Sequence, residues 1–409
     1  FFLYTLPVTR GQGSLQAKRL RRLRVPYAPQ KSSKEIWDSF LFYIPLSPIF
    51  ESKWFITMQH TEQPKRISYL DALRGFTMIL VVVSHVAKFL DVETLSPGSF
   101  HYYFNHFRMP LFFFISGFVF YKAGFVWNRV NIKKFLCKKV TVQVISPLIF
   151  LACYVHYMHF SLWESLVDNF KAGYWFTFTL FEYFLLYIAT RKISDIFGAG
   201  ENKAIITMFL IGLFFYFFPK QWLCSESLPP FVSDTFGLLG ATRMMYFMFF
   251  VSGTWVRKNF STAENILDKS YLTTFAVIIF FVTSIFFDTH SFNPYLQKIT
   301  GLLLSLCGIT IIFSLFRKHE SFFSTDNPAS SLLKFIGRRT LDIYLLHSFF
   351  INFRLPEQLL SIIYDNPLLE FAVSLLLTAI TITACLAVSA ALRTSNALAH
   401  FLFGAQKRP

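Results

Sequence analysis

Apolar runs long enough to cross a lipid bilayer recur along most of this chain, and no other feature restricts its fold as tightly. A hydrocarbon core about 30 Å thick calls for roughly 20 residues of helix. Windows of that kind fall near 71–90, 106–122, 140–158, 174–190, 203–219, 237–256, 271–288, 298–316, 335–353 and 369–392. With 54% hydrophobic and only 15% charged residues in 409, the chain is a polytopic membrane protein and not a soluble globule. The predicted fold is all-α, an integral membrane bundle of about ten transmembrane helices.

The connections between these windows alternate in charge. KKFLCKK, the Arg191-Lys192 pair, the Arg257-Lys258 pair, and FRKHE with the later GRR follow the second, fourth, sixth and eighth windows; the other connections, such as DVETLSPGSF and LPEQLLSIIYDNP, are mildly acidic. By the positive-inside bias, the even-numbered connections and both termini are expected to face the cytoplasm. The formal charge of +16 is explained by this pattern, and no soluble domain is left to carry a nucleic-acid groove. Five scattered cysteines form no C-x-x-C or metal spacing, so neither a disulfide framework nor a metal site is expected.

Residues 1–57 read differently from the rest. They begin with Phe, contain no Met, carry the basic cluster AKRLRRLR, and hold nine basic against three acidic residues. The expectation is a non-native or disordered extension, with translation starting at Met58; a basic targeting arm is the alternative. Residues 58–409 would then be the transmembrane domain.

Within the first apolar run, LDALRGFTMILVVVSHVAKFL, stand two residues that a bilayer disfavours, Arg74 and His85. Eleven positions are three helical turns and about 20°, so the two share one face about 16 Å apart along the axis. Lys88 follows one turn later. A guanidinium near the start of a span can snorkel to the headgroups, and a neutral imidazole can serve as an interhelical hydrogen-bonder. Spacing alone leaves these structural readings open beside a functional one.

Other polar residues carry similar choices. Glu182 and Arg243, both inside apolar windows, would spare the bilayer two isolated charges by pairing. Asp342 follows Arg338 and Arg339 closely enough for an ion pair at a helix end. His347, three residues after Tyr344, is open to a structural hydrogen bond or to catalytic support. Ser116 and Gly117 suit close approach of helices.

Four segments together resemble the membrane-bound acyltransferase-3 family of O-acyltransferases. RISYLDALRGFTMILVVVSH is similar to its first helix, with an Arg, ten residues and a His at Arg74 and His85. FRMPLFFFISGFVF resembles its second helix, with Pro110 to Phe113 and Ser116 to Phe118; YWFTFTLFEYFLLY resembles its Trp-Phe segment. FIGRRTLDIYLLHSFF is similar to its late element, with Gly337, Thr340, Leu341, Ile343, Tyr344 and His347 in place.

The resemblance implies transfer of an acyl group, acetyl above all, from cytoplasmic acyl-CoA as co-substrate to a hydroxyl of a cell-surface glycan or lipid-linked sugar. No tightly bound cofactor is implied. His85 is the expected catalytic base, or the transient acyl carrier of a two-step transfer, since imidazole titrates near neutrality. Arg74 would bind or orient the donor, and Arg338 and Arg339 would add to the CoA phosphate site, because guanidinium matches phosphate oxygens. The setting implied is the bacterial inner membrane, among its lipids. The competing class is a lipid-linked-sugar flippase or transporter without acyl transfer; against it, the two halves show no duplicated hydropathy pattern.

Overall fold

Pro110 lies inside a helix and has no N–H, so the carbonyl of His106 one turn earlier loses its usual donor. Inside a membrane such a group must be satisfied by protein. Ser305, on a neighbouring helix, donates its hydroxyl to the His106 oxygen at 2.7 Å. The computed structural model in which this contact is seen describes residues 67–90, 99–218, 228–286, 293–353, 355–364 and 366–405. The expectations about residues 1–57 and Met58 lie outside these.

The described residues hold helices and no strands. The first is α1 (Ser68–Phe89), followed by α2 (Phe100–Phe120) and α3 (Arg129–Tyr157), which contains a π-turn at Thr141–Ile145. Next come α4 (Trp175–Ile196), α5 (Gly200–Phe217), α6 (Pro230–Leu238) and α7 (Phe247–Lys258). Then follow α8 (Phe260–Leu267), α9 (Ser270–Phe286), α10 (Pro294–Lys318) and α11 (Pro328–Arg338), and last α12 (Thr340–Leu346), α13 (Pro367–Leu392) and α14 (Asn396–Phe403). Side-chain caps start several of them. Ser99 accepts from the His101 amide, Asn128 from Asn131, and Asn366 from Leu368 and Leu369.

Five helices (α1, α3, α5, α10 and α13) are long and apolar enough to cross a membrane; each of two bent pairs adds a span if counted as one, making seven. The bends are 41° between α6 and the segment Ala241–Lys258, and 72° between α8 and α9. Two further helices, α2 and α4, have 21 and 22 residues and fall outside this set. The window 335–353 departs from the sequence reading of one span. Here α11 stops at Arg338, Arg339 leaves helical geometry at φ −107° and ψ 15°, α12 has only seven residues, and a 3-10 turn, His347–Phe349, follows. Basic connections expected to share a side do meet. Lys258 lies 3.1 Å from Glu201, and Arg317 lies 3.1 Å from Glu264 and 2.7 Å from Asp268.

The centre of the bundle is α1: 78% of its apolar window is buried, against 28% for α3 and α5 and 33% for α13. It packs on α2, α10, α11, α12 and α13. Lipid tails are as apolar as leucine, so close packing rather than exclusion of water holds such helices together. Glycine allows the closest approach. A Cβ on Gly75 would strike the Leu333 carbonyl and one on Gly337 the Asp71 carbonyl, a reciprocal crossing of α1 and α11. Gly117 against Phe250 and Gly253 against Phe114 make the same arrangement between α2 and α7, as small residues at 116–117 led one to expect.

Asp342 is 2% exposed and ties the broken segment down. Its carboxylate lies 2.7 Å from Arg393, which is 21% exposed, and 3.4 Å from Arg339, and it accepts from Ser389 of α13. The ion pair anticipated at this helix end is present, with Arg393 as the nearer partner.

Two outcomes follow. Gly337→Leu should abolish or strongly lower the folded yield, since backbone and not a movable side chain blocks the space, whereas Gly301→Ala, which meets only the Tyr216 hydroxyl at 3.4 Å, should be tolerated. Size-exclusion chromatography and thermal melting in detergent would read both. Asp342→Ala should cost about 3 kcal/mol, the lower end for a broken buried pair because Arg393 keeps some exposure, and the double variant Asp342→Leu with Arg393→Met should recover most of it.

Candidate functional site

His85 comes from the last two turns of α1 and is half-buried. Its ring centre lies 5.1 Å from that of His347, with 50° between the planes. His347 is buried, and its Nδ1 lies 2.7 Å from the Tyr344 carbonyl oxygen. A carbonyl only accepts, so Nδ1 carries the hydrogen and Nε2 is left as the basic nitrogen of the neutral ring.

The break between α11 and α12 is what turns this segment toward α1, and hydrogen bonds to the start of α4 hold it. Tyr344 donates to the Gly173 carbonyl at 3.1 Å and accepts from the Phe176 amide at 3.1 Å, while Tyr174 donates to the Leu345 carbonyl at 2.9 Å. The connection before α4 is itself unusual. Lys171 and Ala172 have φ of 45° and 48°, a region that costs an L-residue of order 1 kcal/mol or more. The buried Lys171 ammonium stabilises it by donating to the Leu166 carbonyl at 2.7 Å and the Gly237 carbonyl at 2.8 Å. Burial holds the Lys171 pKa below its ordinary value, opposed by the nearby Glu182 carboxylate.

Two cations lie near His85. Arg108 of α2 and Lys88 of α1 are within electrostatic reach of His85. The Arg108 Nη1 is buried and has no hydrogen-bond partner among the described residues. Lys88 lies 5.7 Å from the centre of the Phe170 ring, and the Arg243 guanidinium lies 4.5 Å from the same ring and 4.4 Å from Trp175. Arg243 also donates to the Asn169 carbonyl. For Glu182, the charge acting on it is that of Lys171, and its carboxylate faces Gly240.

At the other end of the stripe, Arg74 remains about 16 Å from His85, since α1 is continuous between them. It is half-buried and within electrostatic reach of Lys139, which in turn senses Lys138 and Lys122. The Lys139 ammonium lies 4.8 Å from the Phe184 ring centre. The crossing at Gly75 and Gly337 sets Arg338 and Arg339 beside the same part of α1; Arg338 is exposed, and Arg339 reaches Asp342. The structure thus gathers His85, His347, Arg108 and Lys88 in one place and Arg74 with basic residues in another.

Arg108 and the contact of His347 with His85 were not assigned from sequence. A guanidinium two residues before Pro110 inside an apolar run was a signal for the first; the second needed the helix break. Among the described residues no group of three or more His, Cys, Asp or Glu could hold a metal ion. Described cysteines 137, 153, 307 and 385 are free.

Comparison with curated proteins and with solved structures finds no match. A scan against family models matches the acyltransferase domain of the acyltransferase-3 family over residues 67–390, which takes in all the residues of both clusters. The match covers most of the chain, and the chain belongs to the acyltransferase-3 family, the membrane O-acyltransferases.

Proposed function

We propose that this protein moves an acyl group, acetyl above all, from acyl-CoA to a hydroxyl of a glycan or lipid-linked sugar, with His85 as the catalytic base. The observation that carries this reading is the meeting of His85 with His347 beside Arg108, whose buried Nη1 lacks a partner among the described residues. The basic ends of the bundle, by the positive-inside bias, would face the cytoplasm together with both termini. Arg74 and its neighbours would therefore meet the donor on the side where acyl-CoA is found, and about ten crossings of the membrane would complete the bundle.

His85 is half-open and His347 closed, which favours His85 as the ring that meets the acceptor. It takes the proton of the acceptor hydroxyl as that oxygen attacks the thioester carbonyl. Negative charge then develops on the carbonyl oxygen, and the Arg108 guanidinium is suited to stabilise it in a place from which water is excluded. Collapse of the intermediate breaks the carbon–sulfur bond, and the proton passes to the departing thiolate. His347, with Nδ1–H held by Tyr344 and Nε2 basic, can share that proton. In a two-step variant His85 itself carries the acyl group between donor and acceptor. Arg74 supplies forked donors for the phosphates, assisted by Lys139, Arg338 and Arg339.

The decisive assay follows labelled acyl-CoA into membrane glycolipid in vesicles containing the purified protein, beside a glycolipid translocation assay. His85→Ala should lower the rate by ~10²–10⁴ with normal protein level and melting temperature. Arg108→Gln should cost ~10²–10³. Arg74→Ala should raise KM for the donor, with Arg74→Lys intermediate. Acyl transfer that survives His85→Ala overturns the assignment. Translocation of lipid-linked sugar without consumption of acyl-CoA would make the protein a flippase.

A further inference from the structure

A polar cavity of about 220 Å³ opens beside the turn that joins α2 to α3, lined by Phe120, Lys122, Phe125, Trp127, Tyr187, Arg191 and Glu201 among others. Local sequence builds the turn. Gly124 takes a φ of +73°, the Phe125 amide donates to the Lys122 carbonyl, and Asn128 caps α3 while Asn131 donates to the Val126 carbonyl. The walls are aromatic: Trp127 lies 4.6 Å from Phe125, 5.9 Å from Phe120 and 6.0 Å from Tyr187, ring centre to ring centre.

Charge decides what such a cage would take. Glu201 is matched by Lys258 at 3.1 Å. That leaves Lys122 and Arg191 as the cations of the lining, and although the Arg191 Nε lies 3.3 Å from Asp195, its buried Nη1 has no partner among the described residues. The balance is positive, against a quaternary ammonium and for an anion with a flat ring. Lys122 is also within electrostatic reach of Lys139, and Lys139 of Arg74, so cations lead from this cavity toward the donor end of α1. A pocket for a whole drug-sized ligand measures roughly 300–1,000 Å³, so this cavity suits one end of a longer molecule.

We propose that this cavity is a purine-nucleotide pocket, in which Trp127 and Phe125 stack on the base while Lys122 and Arg191 meet phosphate, and that it anchors the nucleotide end of the acyl donor. The proposal rests on the acyl-CoA reading above. Aromatic faces stack on any base, and cationic groups beside them meet the phosphates of the same ligand.

The test is binding of labelled adenosine 3′,5′-bisphosphate, which lacks the thiol arm, to the full-length protein in nanodiscs. It should bind, and Trp127→Ala and Arg191→Gln should each weaken it ~10-fold or more. Lys122→Gln, at an exposed position that folding tolerates, should weaken it several-fold. In turnover the same variants should erase the advantage of acetyl-CoA over S-acetylpantetheine, a donor without nucleotide. A wild-type protein that ignores the bisphosphate, or variants that lower transfer from both donors alike, would overturn the pocket while leaving the transferase reading intact. Bisphosphate binding that depends on Trp127 in a protein showing no acyl transfer from any donor would keep the pocket and sink the transferase instead.

Discussion

The crossing of α1 and α11 at Gly75 and Gly337 is the contact on which the rest of this molecule depends. Backbone meets backbone there, with no room for a single methyl group on either side. Because α1 is the most enclosed helix, its position sets those of Arg74 and His85 together. Because α11 ends immediately after the crossing, the chain that follows it is delivered to the C-terminal half of α1, where His347 meets His85. One close approach therefore serves both ends of the stripe.

Irregular backbone is expensive in a membrane unless other protein groups satisfy it, and in this bundle each break has such partners. Pro110 frees a carbonyl that Ser305 takes up; the break at Arg339 is held by Asp342, Arg393 and Ser389; Tyr344 and Tyr174 fasten the 3-10 turn to the start of α4. These are separate solutions to one problem. Each uses side chains from a distant part of the sequence, so the site is assembled only when the bundle is complete. Distortions that are stabilised in this way are expected where function and not packing sets the geometry.

Two clusters separated along a single helix also suit the chemistry proposed for them. A charged donor belongs near water and basic residues, whereas a base and a guanidinium that stabilises developing charge act most strongly where water is excluded. A continuous α1 keeps the two environments apart at a set distance.

Much of this was legible in the residues themselves. Composition and apolar windows determined an all-α membrane bundle, the ordered segments from Arg74 to His347 determined the family, and Ser116 and Gly117 marked close approach, because each of these depends on local chemistry or on spacing along one helix; the crossing at Gly337 came only with the structure. The window at 335–353 reads as one unbroken helix because its apolar content is continuous, whereas α11 stops at Arg338 and the short α12 that follows is held by Asp342 against Arg393, 51 positions away. The same holds for Arg108: its place near His85 is set by how α2 packs on α1, and for Glu182, which feels the charge of Lys171 on a left-handed turn. Sequence alone determined which residues a bilayer would find costly; which of them meet was decided by tertiary packing, because side chains far apart along the chain become neighbours only when the helices close around α1.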